Sequence, residues 1–451
     1  LRRIQRVAEQ QDPAQRWDAM SQLAERAFPD YLLADAALWQ QLWQEREVFL
    51  ALSTEEYRYL DSLCSGEGVP AIIEGRAGSG KTTLLYYYTA QQLSRNLQAQ
   101  HPEQPPRLLY LTQSERLLEG ARQLIEKLTE RRRLEGTVYS DRVCLQLTCD
   151  TYHNFALQQL SPQQARRFAV RRRQENGGWL DFATFRDLLR GRGKYGFRGR
   201  FRQSRDATPE AVWFIIRSYI KGFKIHETDD ARWMTAEEYA ETDYVPRKER
   251  QVSEKLYHDV WEHVWPWYQQ LTILSTGRDG LPPYWDDLDL AWEVLLNRRP
   301  DAPDFPLLVC DEVQDFSRIE LAALLGCLSW RKYDYAAAGS GSGQCGGLPV
   351  ILAGDGHQTV NPSCFRWERV RTDLAKALVC HLPQVSLPDV AKHELKCNYR
   401  NAASVGRLCN ALQHLRQHCL GHQGALQELW RVHDDQPNQR IRRLYPFIDE
   451  R

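Results

Sequence analysis

No run of about 18 consecutive apolar residues occurs anywhere in the 451 residues, so no membrane-spanning helix is expected. The opening LRRIQRVAEQ has neither a starting Met nor the apolar stretch of a secretory leader, and it reads as the interior of a longer protein. Charge of neither sign dominates. Lys and Arg number 59 against 59 Asp and Glu, so a polyanionic partner must be met by local basic patches rather than a global field. The 11 cysteines form no CxxC pair and no dense framework. That excludes a disulfide scaffold and favours reduced thiols in an intracellular compartment. What remains is an ordinary soluble composition, 42% hydrophobic and 26% charged, with length for about three domains.

Two segments carry the chemistry. Val69 to Ile73 is an apolar run, followed by Gly75-Arg76-Ala77-Gly78-Ser79-Gly80-Lys81-Thr82-Thr83 and a helix-like stretch from Leu84 to Leu97. Strand, glycine loop and helix make the full phosphate-loop pattern. Gly75, Ala77, Gly78, Ser79 and Gly80 offer backbone N–H groups that can wrap phosphate oxygens, and the helix behind adds its positive end. Lys81 is expected to reach the outer phosphates, Thr82 to ligate Mg²⁺, and Thr83 to complete the loop's contacts. The second segment is PLLVCDEVQD, from Pro306 to Asp315. A short apolar run bounded by proline and charge suits a buried parallel strand that delivers Asp311 and Glu312 to its carboxyl end. Asp311 is the second candidate metal ligand, and Glu312 the candidate base for the attacking water. ATP and Mg²⁺ are the cofactors these residues imply.

Strands are expected at Val69–Ile73, Arg107–Leu111, Val143–Leu147, Pro306–Cys310 and Leu348–Ala353, separated in part by helical patterns, which is an α/β arrangement. Residues 1–66 look helical around Leu38, Trp39, Leu42 and Trp43. The sheet domain is expected over 67–159 and 301–384. Residues 160–300, rich in Arg and Trp, read as a helical subdomain inserted into it, with a helix start at Thr208-Pro209-Glu210 and a shared face of Val212, Ile215, Ile216, Tyr219 and Phe223. A second α/β unit is expected to begin within 385–451. Residues 336–347 are loop-like by composition, and their GSGQCG precedes a strand instead of following one, so it is not read as a nucleotide site.

With Gln314 and Asp315 completing DEVQD, the chain resembles the UvrD/Rep-type superfamily 1 DNA helicases. GRAGSGKTT resembles that family's motif I and LYLTQSERL (109–117) its motif Ia. CDTYHNF (149–155) resembles motif Ib, and LVCDEVQD motif II. LAGDGHQTV (352–360) with FRW (365–367) resembles motif III, and LKCNYR (395–400) motif IV. The resemblance implies a RecA-like P-loop NTPase sheet, an inserted helical subdomain and the start of a second RecA-like domain. It implies that Gln358 senses the outer phosphate, Arg400 serves as an arginine finger and Tyr399 stacks on the base. Thr151 and His153 would hold a nucleic-acid backbone, and Phe365, Arg366 and Trp367 would grip bases. Movement in the 3′ to 5′ direction is the family habit. Glu56 stands where the family has an adenine-reading Gln, so that contact is not carried over. Nothing after Arg400 resembles motifs V and VI, which reads as a motor fragment ending before them.

The expectation is therefore an ATP-dependent translocase or helicase on single-stranded or partly duplex DNA, with RNA left open. The alternative is a nucleotide-dependent switch or scaffold that binds nucleic acid or protein without unwinding, and a helicase fused to a nuclease outside this segment is a third. Between Arg166 and Arg205, 13 Lys/Arg face three Asp/Glu, and GRGKYGFRGRFR interleaves cations with Tyr195, Phe197 and Phe201. That segment is either a solvated face or a surface where cations meet phosphates and rings meet bases. His414, His418 and His422, with Cys409 and Cys419 nearby, read as a structural helix face rather than a metal site. Asp286-Asp287 reads as a helix cap.

Overall fold

The computed structural model describes residues 31–32, 52–65, 70–93, 107–134, 146–169, 177–199, 201, 207–225, 233–241, 252–274, 281–303, 305, 307–328, 350–359, 365–381, 390–398, 403–420 and 428–429. The chain is α/β, with fourteen α-helices among the described residues and one six-stranded parallel sheet. The strands are β1 (Ala71–Gly75), β2 (Arg107–Thr112), β3 (Gln146–Thr151), β4 (Leu307–Cys310), β5 (Val350–Gly354) and β6 (Ala391–Leu395). Their spatial order is β6-β1-β5-β4-β2-β3, every neighbouring pair parallel. All five strands expected from apolar runs are present, shifted by a few residues at their ends.

Alternation along these strands explains why they are apolar throughout. Ile72, Leu109, Leu111, Leu308, Cys310, Val350 and Leu352 join one core. Their immediate neighbours Ala71, Ile73, Leu108, Tyr110, Leu307, Val309, Ile351 and Ala353 join another. Successive side chains on a strand point to opposite faces, so a sheet covered on both sides needs apolar residues at every position. On the second face lie α1 (Thr54–Ser65), α2 (Lys81–Leu93) and α3 (Glu115–Leu134), which contribute Leu60, Leu84 and Ile125. On the first lie α4 (Tyr152–Gln158) and α5 (Pro162–Phe168), with two further helices that flank β4 in sequence.

The helical stretch between β3 and β4 has its own core. It comprises α6 (Phe182–Leu189), α7 (Pro209–Phe214) running into a π-helix (Ile215–Lys221), α8 (Ala236–Glu241), α9 (Glu254–His263) and α10 (Trp265–Thr272). Thr208 caps α7 by accepting from Ala211 N at 3.2 Å. Val212, Ile215, Ile216, Tyr219 and Phe223 are all buried together, as their spacing predicts. The wide π turn over 215–221 is not visible in that spacing. A short parallel pair, Gly178–Trp179 with Tyr284–Trp285, ties the segment's two ends together. Gly177 makes this possible: at φ 138° a Cβ there would sit 2.1 Å from the Pro283 carbonyl oxygen.

Asp286 then caps α11 (Asp287–Asn297) in a capping box with Asp289, as its sequence position predicts. After β4 come α12 (Arg318–Gly326), capped by Ser317 and Glu320, and, beyond β5, α13 (Trp367–His381). The boundary expected at 385 is corrected. Residues 391–395 do not open a separate unit but extend the first sheet as β6, paired in register with β1 from Ala391↔Ala71 to Leu395↔Gly75. An unpaired β1 edge would leave backbone groups unsatisfied, and β6 fills it. α14 (Ala403–Leu420) follows. Apart from the short Tyr31–Leu32 and Leu52–Ser53 pair and α1, the expected N-terminal helical region lies outside the described residues, as do 336–347 and His422.

Candidate phosphate site and its connections

β1 ends in Gly75 and α2 begins at Lys81, so the five residues between them must reverse direction within a few ångströms. Glycine permits it: Gly78 and Gly80 take φ 80° and 92°. A Cβ on Gly80 would lie 1.8 Å from Glu56 Oε1, and one on Gly75 2.3 Å from Ser79 Oγ. The turn closes with Ser79 N donating to Arg76 O at 3.1 Å, and the helix starts with Leu84 N donating to Gly80 O at 2.9 Å. Lys81 is buried, and its Nζ donates to Gly75 O at 2.6 Å and Arg76 O at 3.3 Å. Ser79 Oγ is buried with no hydrogen-bond partner among the described residues. A buried hydroxyl without a partner costs about 1–3 kcal/mol unless a ligand satisfies it.

The acid strand arrives at the same place. Thr82 Oγ1 donates to Asp311 Oδ2 at 2.9 Å, and Tyr110 Oη donates to the same oxygen at 3.2 Å. The carboxyl of Asp311 is pushed up to about 6, by burial first and the Glu312 carboxylate second, with Thr82 and Lys81 opposing. Glu312 is the one non-glycine residue at positive φ among the described residues (φ 53°, ψ 43°). Left-handed backbone costs a non-glycine residue about 1–2 kcal/mol and is held only where surroundings demand it. Here Glu312 N donates to Asp311 Oδ1 at 3.0 Å, and its Oε2 accepts from Gln314 Nε2 at 2.6 Å.

Gly75, Ala77, Gly78, Ser79, Gly80, Lys81, Thr82 and Thr83 thus gather at the carboxyl end of the sheet with Asp311 and Glu312. Gln358 is exposed on the turn after β5, its Nε2 donating to Asp355 Oδ2 at 2.7 Å. Tyr399 and Arg400 lie outside the described residues, but Asn398 just before them donates from Nδ2 to Ala77 O at 3.3 Å. Glu56 is buried in a reciprocal cap of α1: Ser53 N donates to its Oε2 at 2.7 Å, and Glu56 N donates to Ser53 Oγ at 3.2 Å. Burial pushes its carboxyl up to about 7. The pattern Ser-x-x-Glu is legible as a capping box, while its contact with the glycine loop is not.

The expected nucleic-acid residues are corrected in part. Thr151 is buried and spends its hydroxyl capping α4, accepting from Asn154 N. His153 is buried with its ring stacked on Trp285, centroids 5.5 Å apart. Trp367 is a core residue at 6% exposure, and Phe365 meets its ring edge-on at 4.8 Å. Of this set Phe365 and Arg366 alone keep partly open surface. In the basic loop the rings of Tyr195, Phe197 and Phe201 are partly buried and pack against the helical core. The cations Arg190, Arg192, Lys194 and Arg198 stay exposed.

Thr82, Asp311 and the unpartnered Ser79 fit a magnesium–triphosphate better than a protein-only metal cage. No cluster of three or more His, Cys, Asp or Glu able to hold a metal occurs among the described residues, and His414 and His418 are exposed on α14. Mg²⁺ takes few carboxylates and shares the substrate's oxygens, so a two-ligand site suits it. No family model matches the chain, and no curated protein matches it.

Proposed function

We propose that this chain is the P-loop, RecA-like motor portion of an ATP-dependent translocase or helicase acting on single-stranded or partly duplex DNA. The observation that carries the reading is the 2.9 Å bond from Thr82 to Asp311, which joins the glycine loop to the acid strand beside Lys81. Lys81, now resting on loop carbonyls, turns to the outer phosphates when nucleotide binds, and the loop's N–H groups with Ser79 Oγ take the remaining phosphate oxygens. Thr82 and Asp311 would hold magnesium, whose contribution is to neutralise phosphate charge. A water oxygen attacks the γ-phosphorus, its proton passes to the Glu312 carboxylate, and the bond to the β–γ bridging oxygen breaks, releasing the nucleoside diphosphate (ADP) and inorganic phosphate. Gln358, on an exposed turn, can respond to the phosphate's departure.

A second reading, a nucleotide-dependent switch without unwinding, is favoured by the burial of Thr151, His153 and Trp367, which leaves few side chains offered to a strand. Polymer-stimulated hydrolysis separates the two. Motor function expects ATP turnover in the full-length protein to rise when single-stranded DNA is added and to vanish in Lys81→Ala. Turnover that ignores DNA, with unwinding absent, supports the switch. Turnover unchanged by Lys81→Ala removes both.

A further inference from the structure

Within the run Leu108-Leu109-Tyr110-Leu111 of β2, Tyr110 alone carries a polar side-chain atom, and it is buried at 1% exposure. In the parallel ladder it stands opposite Val309, and both belong to the core on the face of α1, α2 and α3. Side chains two apart on a strand share a face, so Asp311, two residues beyond Val309, projects to the same side. Asp311 N donates to Leu111 O at 2.9 Å, which carries the ladder one residue past β4. The phenol spans what is left: Tyr110 Oη donates to Asp311 Oδ2 at 3.2 Å. A phenylalanine would fill the same space without needing an acceptor, whereas a buried hydroxyl must find one.

The Asp311 carboxyl is thereby held by three donors. Oδ2 accepts from Tyr110 and, at 2.9 Å, from Thr82 Oγ1, while Oδ1 accepts from Glu312 N at 3.0 Å. All three donors are uncharged. A neutral donor orients a carboxylate and leaves its charge for a cation, which is how outer partners serve metal-ligating carboxylates. Tyr110 is itself braced: the ring of Tyr86 lies against it, centroids 5.9 Å apart. Tyr86 and Thr82 are four residues apart on α2, hence on one face of it. The helix that carries one candidate magnesium ligand therefore also supports the residue that orients the other.

We infer that Tyr110 is a positioning residue of the magnesium site, setting how tightly Asp311 and Thr82 take the metal by fixing the Asp311 carboxylate. This rests on the nucleotide reading above and adds to it a side chain that acts only through Asp311. A carboxylate free to turn about its Cβ–Cγ bond must be ordered when the metal binds, and two donors on Oδ2 order it beforehand. Removing such an outer partner of a metal ligand lowers metal affinity by about 10- to 100-fold.

The test uses the full-length protein, magnesium chloride and a non-hydrolysable ATP analogue, with binding followed through a magnesium titration and again in EDTA. Tyr110→Phe keeps the ring and removes the hydroxyl. The half-saturating magnesium concentration should rise about 10- to 100-fold, while affinity in EDTA stays within about twofold. Tyr257→Phe is the control, since its equally buried hydroxyl donates to Met234 O at 2.7 Å in the helical core. It should lower the urea midpoint and leave the magnesium curve alone. On an Asp311→Asn background, adding Tyr110→Phe should cause no further loss, a comparison that holds even where the single variant is less stable. A magnesium curve within about twofold of the parent in Tyr110→Phe, with Asp311→Asn shifting it, overturns the positioning role and leaves the nucleotide reading standing. Equal losses with magnesium and in EDTA overturn it too, because a merely structural role does that, and so does a full further loss on the Asp311→Asn background. A parent protein that does not bind the analogue, or binds it equally with and without magnesium, sinks the magnesium–nucleotide reading and this inference with it.

Discussion

Two buried lysines sit in opposite circumstances. Lys221, fully buried where the π-helix ends, donates to Asp286 Oδ2 at 2.7 Å and Asp289 Oδ1 at 2.6 Å, and Tyr268 Oη donates to Asp286 at 2.5 Å. Although burial pushes Asp286 upward, Lys221 and Arg217 hold its carboxyl below the usual range. Every charge in that cluster meets an opposite charge. At the sheet's end, among the described residues, Lys81 meets only carbonyl oxygens, no cation contacts Asp311, Ser79 Oγ has no partner, and Glu312 is strained. Buried polar groups are ordinarily satisfied. The helical cluster is finished by its own residues and holds the fold; under the proposed function the glycine loop would be finished by an anionic ligand that brings a cation.

Substitutions can break that contrast from either side. The largest effect expected is on chemistry alone: Glu312→Gln lowers ATP turnover by about 100- to 10,000-fold, with the urea unfolding midpoint unchanged or raised because a like-charge neighbour of the buried Asp311 is gone. Next, Lys221→Met leaves Asp286 and Asp289 uncompensated and costs about 3–5 kcal/mol in urea titration, yet at temperatures where the protein is folded it leaves nucleotide affinity alone. If Lys221→Met instead spared stability and removed nucleotide binding, the contrast would be wrong.

A smaller effect sharpens the boundary between the regions. Glu320, in the cap of α12, is buried, and burial followed by Asp287 pushes its carboxyl from 4.5 to about 7. A folded-state value above the unfolded one means the neutral acid is favoured by folding. Its contribution is therefore full below pH 4.5 and is lost as pH rises towards 7. Glu320→Gln keeps the Ser317 N contact and should gain on the order of 2 kcal/mol over the parent at pH 8, with the gap closing below about pH 4.5 in parallel unfolding curves. Smallest, Thr208→Ala removes one cap from α7 and should cost about 1 kcal/mol without pH dependence.

The parallel sheet was readable because buried strands carry apolar residues on both faces, so PLLVC and VPAII stand out against polar surroundings. β6 did not stand out. Its AKHEL is half-open at an edge, with partly exposed Lys392, His393 and Glu394, and its place depends on pairing with β1 rather than on its own composition. The glycine loop and acid pair were readable as a pattern because each directly follows an apolar strand in the sequence. The contact of Gln314 with Asp355 was not, since it is one buried hydrogen bond between residues 41 apart in sequence. Trp367 is ambiguous for the opposite reason: an aromatic ring serves a core as well as it would a base, and burial distinguishes the two.

The central claim is that the end of the sheet is a phosphate site left incomplete by the chain itself. Thermal unfolding of the full-length protein with and without magnesium ATP, in the parent and in Lys81→Ala, tests it most directly. A ligand held only by the folded state raises the midpoint. The account expects a clear rise in the parent and none in Lys81→Ala; equal rises in both, or none in either, would contradict it.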